Sequence, residues 1–221
     1  MVVTDILYSL ANDAAVRFSG GSSFLRIVFR IWALYRAIGH LLFHLVLGDN
    51  YYGRARCTYH EYLKKTKEIG ISIDKVHYVI VSHFHLDHAG LFGQFQEENV
   101  TCIAFDIQLP FIDTMEHTIK KNIEYMSYKQ INKNNLITYT IYDFNTLLLK
   151  HGFQGHIESL NAHSEDSIGY FSDEKVVLIG DLAPINQVMH DDINGNENWE
   201  RILAFGATLA LPSHAEPIVL V

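Results

Sequence analysis

The stretch SHFHLDHAG, residues 82–90, contains three histidines and one aspartate within six positions. His83 and His85 are two positions apart, so an extended backbone directs both imidazoles to the same side. The turn that follows supplies Asp87 and His88. Imidazole and carboxylate groups suit zinc and other borderline divalent ions, and this spacing can ligate two adjacent metals. The stretch therefore predicts a metal site.

This metal-site stretch lies at the end of a predicted strand. VHYVIVS at 76–82 is a short apolar, β-branched run of the type found in fully buried strands. Before it, Thr58 and Glu61 have the spacing of a capping box and predict a helix that stops at Gly70. Functional side chains of open sheet proteins collect at the carboxyl ends of strands. We therefore expect the histidines to face a shared cleft.

The rest of the chain contains many strand signals and few helix signals. Strands are predicted at 100–105, 136–142, 156–161, 167–171, 175–180 and 207–212. A helix is predicted at about 196–205. This order of elements indicates an α/β layered sandwich rather than a helical bundle. Because no linker or repeat interrupts it, we place no domain boundary.

Three further side chains follow predicted strands in the same way as the first cluster: His163, Asp181 and His214. We take them as candidates to complete the metal site. The remaining histidines fall within elements or lack clustered partners, and we expect them to be surface or core residues. They are His40, His44, His60, His77, His117, His151, His156 and His190.

Composition limits the classes of function. The chain has 221 residues, of which 48% are hydrophobic and 19% charged, as in one soluble globular domain. Its formal net charge of -8 and 17 scattered basic residues disfavour a nucleic-acid partner. Cys57 and Cys102 form no CxxC pair and no disulfide framework. The N-terminal run has no basic region before its apolar residues, so we expect a cytoplasmic protein.

One apolar stretch, residues 24–47, has the length of a membrane span. Arg26, Arg30 and Arg36 interrupt it, and each arginine costs about 2.5–3.5 kcal/mol at mid-bilayer, so we do not expect a spanning helix. As a helix, the stretch has a narrow polar stripe and a wide apolar face. We expect it to pack as a buried helix or as a pair of strands. The alternatives are a homodimer contact or a peripheral membrane contact.

The pattern HxHxDH at 83–88, followed by Ala89 and Gly90 and then by His163, Asp181 and His214 in that order, resembles the metallo-β-lactamase-fold hydrolases. The resemblance extends over about residues 45–217. It implies a four-layer αβ/βα sandwich with a dinuclear site at one edge of the two sheets. It also implies a single domain over residues 1–221, in which residues 1–47 are an atypical N-terminal part.

The resemblance implies a role for each candidate ligand. The first metal would be held by His83, His85 and His163. The second would be held by Asp87, His88 and His214. Asp181 would bridge the two metals, and Asp87 would also orient the attacking hydroxide and accept its proton. The metals would be two divalent ions, zinc by preference, with Mn²⁺ and Fe²⁺ as alternatives.

Within the family, an aspartate bridge is typical of the glyoxalase II, lactonase and phosphodiesterase branches. The oxygen-reducing di-iron members carry glutamate where His85 stands, which favours hydrolysis here. The resemblance thus implies a metal-dependent hydrolase that uses a hydroxide held by two metals to cleave an ester, thioester or lactone of a small molecule. The alternatives are a phosphodiesterase at the same site and a non-enzymatic metal-binding module.

The sequence departs from the family pattern at two positions relevant to the site. Asp49 is followed by Asn50, where the family has Asp-Thr-Gly, so Asp49 is a candidate to support a ligand rather than to bind metal. Pro184 stands where acyl-homoserine lactonases carry a tyrosine that assists the substrate. This second departure disfavours that particular lactone.

Overall fold

The structure, a computed structural model, describes residues 59–68, 76, 78–121, 128–151 and 153–220. The apolar segment 24–47, Asp49, Cys57, Thr58 and the histidines His40, His44 and His77 lie outside this part. The predictions that fall on these residues, including a single domain over 1–221, stay predictions.

The described residues form two β-sheets. The first has β1 (Tyr78–Ile80), β2 (Thr101–Phe105) and β3 (Ile137–Tyr139), all parallel and in the order β1-β2-β3. The second has β4 (Gly155–Ser159), β5 (Ile168–Ser172), β6 (Val176–Gly180), β7 (Leu209–Pro212) and β8 (Ile218–Val219), in that order. In the second sheet β6 and β7 are parallel, whereas the other neighbours are antiparallel.

Six α-helices accompany the sheets in the described ranges. They are α1 (Tyr59–Glu68), α2 (Leu86–Ala89), α3 (Phe92–Glu97), α4 (Leu109–Lys120), α5 (Ile141–Lys150) and α6 (Ile193–Ala204). Short 3₁₀ helices occur at Asp106–Gln108, Lys133–Asn135 and Ile185–Gln187. Among the described residues, no helix combines the length and the hydropathy needed to cross a bilayer.

Side chains that alternate along the strands divide the core into layers, because neighbouring residues of a strand point to opposite faces. On one face of the first sheet, Val79 and Cys102 share an apolar cluster with Phe92 of α3 and Ile112 of α4. On the other face, Ile80 belongs to a second cluster, which joins the two sheets. One layer of helices therefore covers the outer face of the first sheet.

The second sheet also has one face toward the other sheet and one face toward a helix. Tyr170 and Leu178 face the first sheet, whereas their neighbours Phe171 and Val177 pack with Trp199 of α6. The layers are thus helix, sheet, sheet and helix. This order confirms the predicted four-layer αβ/βα sandwich.

The predicted strand 136–142 was wrong in its second half. β3 ends at Tyr139, and Thr140 caps α5 instead, since its Oγ1 accepts a hydrogen bond from the backbone N–H of Asp143 at 3.0 Å. The hydroxyl donates in return to Asp143 Oδ2 at 2.8 Å. This reciprocal cap outweighs the strand propensity of Ile141 and Tyr142. The other predicted strands and the helix at 196–205 agree with the structure to within three residues at each end.

Candidate metal centre

The candidate ligands follow four strands that end at the same edge of the sandwich. β4 and β6 are each antiparallel to β5, and β6 is parallel to β7, so β4, β6 and β7 run in one direction. His163, Asp181 and His214 follow these three strands. The backbone N–H of Ile168 donates to the carbonyl of Ser82 at 2.8 Å, which brings the end of β1 to the same edge.

The stretch 82–90 leaves β1 in extended form and then turns into α2. His85 has φ −90° and ψ 155° and is the residue that precedes the helix. Asp87 and His88 lie within α2 rather than in a loop. The helical turn brings Asp87 and His88 onto the site while His83 and His85 approach from the extended part. His83 and His88 are fully buried.

We call His83, His85 and His163 the first ligand group. Their three ligand nitrogens lie within 4.8 Å of one another. His85 Nδ1 is 3.0 Å from His83 Nε2 and 3.1 Å from His163 Nε2. Three imidazole nitrogens that converge on one point form the kind of donor set that a divalent cation takes.

We call Asp87, His88, Asp181 and His214 the second ligand group. Its ligand atoms also lie within 4.8 Å of one another. His214 Nε2 is 3.0 Å from Asp87 Oδ2 and 3.1 Å from His88 Nε2. Nitrogen and carboxylate oxygen thus meet at this second point.

The carboxylate of Asp181 lies between the two ligand groups. Its Oδ2 is 3.1 Å from His88 Nε2 in the second group. The same oxygen is 3.6 Å from His163 Nε2 and 3.9 Å from His83 Nε2 in the first group. Its Oδ1 is buried and lies 3.5 Å from His214 Nε2, but it accepts no hydrogen bond from any described residue. A buried acceptor without a donor needs another positive partner, which a bound cation supplies.

Burial and neighbouring charges set the protonation states of the centre. Burial, with the charge of His88, lowers the pKa of His83 to about 2. Burial also lowers the pKa of His163, although the charge of Asp181 opposes it. Imidazole binds a metal only in its neutral form, and these two histidines hold that form.

For the two carboxylates, Asp87 and Asp181, hydrogen bonds and neighbouring charges outweigh the effect of burial on the pKa. Burial alone would raise the pKa of Asp87, but the hydrogen bond with His214 and the charge of His88 outweigh it, and the pKa falls well below its usual range. For Asp181, burial is again outweighed, here by the hydrogen bond and charge of His88, and the pKa is lowered. Both carboxylates are therefore ionised, as metal ligands must be.

The donor set of nitrogen and oxygen fits divalent zinc, manganese or iron. Cys102 takes no part, because it is buried in the apolar cluster around Phe92 and its Sγ lies 3.5 Å from the carbonyl of that residue. All seven predicted ligand residues come together in the structure. Their role as ligands stays a prediction.

Comparison with known proteins identifies the family. Residues 57–214 match the sequence profile described as the Metallo-beta-lactamase superfamily. The chain belongs to this superfamily. No curated protein matches the sequence at a significant level.

Two solved structures resemble the chain in fold. TTHA1623, crystallised in a di-iron-bound form, is 17% identical with a TM-score of 0.55, over 83% of this chain and 86% of that chain. The metallo-beta-lactamase family protein TTHA1429 from Thermus thermophilus is 15% identical with a TM-score of 0.52. That match covers 74% of this chain and 63% of TTHA1429.

The residues that hold the ligand loops of this metallo-β-lactamase fold together were not predicted from the sequence. Asp166 Oδ2 accepts a hydrogen bond of 2.7 Å from the backbone N–H of Phe84. Gln108 Nε2 lies within 3.3 Å of the carbonyls of Val81, Ser82 and Asp166. The loop that carries His163 is therefore tied to the loop that carries His83. Gln108 follows β2, a strand end that the sequence signal did not single out.

Helix α6 supports the remaining loops of the superfamily site. Trp199 Nε1 donates to the carbonyl of Ala183 at 2.9 Å, and Asn198 Nδ2 donates to Asn161 Oδ1 at 3.2 Å. These two adjacent residues reach the loops that carry Asp181 and His163. Pro184 begins the next turn with φ −50°.

The histidines that were not selected as ligands belong to neither ligand group where the structure describes them. His60, His117, His151 and His190 are exposed. His156 is half-buried, pairs with Glu158 at 3.0 Å and stacks on Phe171. For these five histidines, the predicted surface or core role is confirmed.

Proposed function

We propose that the chain is a metal-dependent hydrolase that cleaves an ester, thioester or lactone of a small molecule with two divalent metal ions. The observation that carries the proposal is the carboxylate of Asp181 between the two ligand groups. It approaches His163 and His88 at 3.6 and 3.1 Å, from opposite groups. A carboxylate between two groups of metal-binding side chains can hold a metal on each side, so this position favours two metals over one.

Two divalent ions held by these residues would lower the pKa of a bound water molecule and polarise the oxygen of the bond to be cleaved. The two carboxylates then have different tasks. The side chain of Asp181 is 13% exposed and holds both groups together, whereas that of Asp87 is 38% exposed and faces solvent. The lowered pKa of Asp87 keeps it ionised. Because Asp87 is the more exposed of the two carboxylates, we assign to it the task of orienting water and accepting its proton.

A serine nucleophile is the main competing mechanism. Ser82 Oγ lies 3.2 Å from His88 Nδ1, and His88 Nε2 lies 3.1 Å from Asp181 Oδ2, which has the order of a Ser-His-Asp array. The Ser82 side chain is buried, however, and contacts the ring edge opposite to the ligand atoms. A substrate at the centre would not reach it. The geometry therefore favours an attacking water over Ser82.

Charge supports a small acyl substrate over a polyanion. The chain has 25 acidic and 17 basic residues, which opposes a long phosphate backbone. Pro184 offers no hydroxyl to a substrate, so we favour an ester or thioester over an acyl-homoserine lactone. Zinc is the preferred metal by donor type, and the di-iron form of TTHA1623 makes iron the first alternative to test.

The test combines elemental analysis with a hydrolysis screen. The substrates are p-nitrophenyl acetate, a thioester, a lactone and bis-p-nitrophenyl phosphate, each with and without chelator. We expect about two metals per chain and chelator-sensitive cleavage of an acyl substrate. His163→Asn should remove metal and activity, while His190→Asn, at an exposed histidine outside both ligand groups, serves as the matched control.

Three results would contradict the proposal in different ways. A chain that binds no metal, even when zinc, manganese or iron is offered, does not contain the centre. A chain that binds two metals but cleaves none of the four substrates is better described as a non-enzymatic metal-binding module. Cleavage of the phosphodiester alone would assign the phosphodiesterase activity instead.

A further inference from the structure

One buried hydroxyl contacts a histidine of each ligand group. Ser82 Oγ lies 3.0 Å from Nδ1 of His83 and 3.2 Å from Nδ1 of His88. His83 belongs to the first ligand group and His88 to the second. Their rings lie 4.1 Å apart between centroids, on the same side of Ser82. A single side chain therefore touches both halves of the centre.

The contact of Ser82 Oγ with Nδ1 of His83 and of His88 leaves the Nε2 atom of each ring to face the ligand atoms. The opposite nitrogens, Nε2, point toward Asp181 Oδ2, at 3.9 Å for His83 and 3.1 Å for His88. A neutral imidazole carries one proton, so an Nε2 that offers its lone pair to a cation leaves the proton on Nδ1. The hydroxyl oxygen of serine has two lone pairs and can accept from both Nδ1–H groups at once.

Ser82 is itself held from both sheets. Its carbonyl accepts hydrogen bonds from the backbone N–H of Ile168 at 2.8 Å and from Gln108 Nε2 at 3.3 Å. Gly180 lies against it, since a Cβ at that position would come within 3.1 Å of the Ser82 Cβ and 3.4 Å of Oγ. The hydroxyl is therefore confined to a small space below the two rings.

We propose that Ser82 is a positioning residue that couples the two metal sites, because its hydroxyl orients one ligand of each. The inference rests on the proposed dinuclear centre. Hydrogen-bond partners of metal-bound imidazoles typically change metal affinity by about 10- to 100-fold. Loss of this hydroxyl should therefore weaken both metals by about tenfold or more, rather than one metal alone.

The test compares Ser82→Thr with Ser82→Val, which have the same shape and differ only in the hydroxyl. Any crowding against Gly180 is common to both variants. The two stepwise metal affinities are measured by competition with a chromophoric chelator, using zinc, and by the absorption spectrum of the cobalt-loaded protein. We expect Ser82→Thr to remain close to wild type, and Ser82→Val to lose about tenfold or more at both steps.

The matched control is Ser172→Ala. Ser172 is also buried and accepts a hydrogen bond through its hydroxyl, from the backbone N–H of Glu174 at 3.2 Å, but it lies at the opposite end of β5. A loss shared by Ser172→Ala would indicate a general effect of removing a buried hydroxyl and would overturn the inference. Equal affinities for the Thr and Val variants, or a loss at one step only, would overturn it as well. If wild type binds no metal, the proposed function fails instead.

Discussion

Asp181 Oδ2 lies 3.1 Å from His88 Nε2, although the two residues are 93 positions apart in the chain. The contact joins the end of β6 in the second sheet to α2, which follows the first sheet. Because the same oxygen also approaches His163, this carboxylate belongs to both ligand groups. Among the histidines that the structure describes, the other carboxylate, Asp87, approaches His88 and His214 alone, at 3.6 and 3.0 Å.

This difference predicts unequal effects of removing the two carboxylates. Asp181→Ala should loosen both metals and abolish turnover, because it removes the oxygen shared by the two groups. Asp87→Asn should leave metal content partly intact and remove most activity, because the solvent-facing proton acceptor is lost. Metal content is measured by elemental analysis and turnover with the best substrate of the screen. Equal metal loss in the two variants, or retained activity in either, would contradict these roles.

Alanine substitutions at Gly180 and Gly206 distinguish the effect of backbone strain from the effect of a contact with Ser82. Gly180 and Gly206 both have positive φ, 56° and 77°, where a side chain is disfavoured by about 1–2 kcal/mol. An added Cβ at Gly180 meets Ser82, whereas at Gly206 it meets nothing within 4 Å. Gly206→Ala should therefore lower only the free energy of unfolding, while Gly180→Ala should also weaken metal binding.

Chemical denaturation and metal titration measure the two effects of the glycine substitutions. Metal affinity in Gly180→Ala that equals that of Gly206→Ala would mean that the contact with Ser82 has no effect on the ligands.

The lowered pKa values of His83 and His163 predict how pH changes the stability of the metal-free protein. The pKa of His83 is lowered to about 2 in the folded state, and that of His163 is lowered as well. As pH falls below about 6.5, the unfolded chain binds protons that the folded chain does not, so the free energy of unfolding should fall. The slope is at most about 1.4 kcal/mol per pH unit for each histidine.

Urea unfolding at pH 7, 6 and 5 in the presence of chelator measures this slope. His163→Asn should make it shallower, because one group that titrates only in the unfolded state is removed. The lowered pKa values of Asp87 and Asp181 act in the same direction, but only nearer pH 4. A stability that stays constant or rises between pH 7 and 5 would show that the histidines are protonated in the folded state.

Substitution of Asn145 should change the stability of the protein without changing its metal binding. Its side chain donates to the carbonyl of Ile157 and accepts from the N–H of the same residue, both at 2.8 Å. It thereby replaces a neighbouring strand at the edge strand β4. Asn145→Ala should lower the free energy of unfolding by about 1–3 kcal/mol, because two buried backbone groups lose their partners.

The measurement for Asn145→Ala is denaturant unfolding, with metal content as the second readout. Metal binding should match wild type. A loss of metal in this variant would mean that β4 and the loop after it move together, and that the His163 loop depends on the strand edge.

Local patterns in the sequence were sufficient to predict most of the fold and all seven candidate ligands. The strands at 100–105 and 175–180 are short apolar runs whose burial follows from composition alone, and each is found within one residue of its predicted ends. Helix α5 was not predicted, because Ile141 and Tyr142 have strand propensity and only the capping pair Thr140 and Asp143 reverses it.

The sequence by itself determined the chemistry of the centre, since the spacing of His83, His85, Asp87 and His88 is local and needs only a strand followed by a turn. Only the tertiary structure decided which contacts hold the ligand loops in place. Ser82 meets both rings only because the chain turns at α2, and Asp166 reaches Phe84 across 82 positions. Such contacts depend on which strand ends meet at one edge of the sandwich, and this is set by sheet pairing over the whole chain rather than by residue spacing.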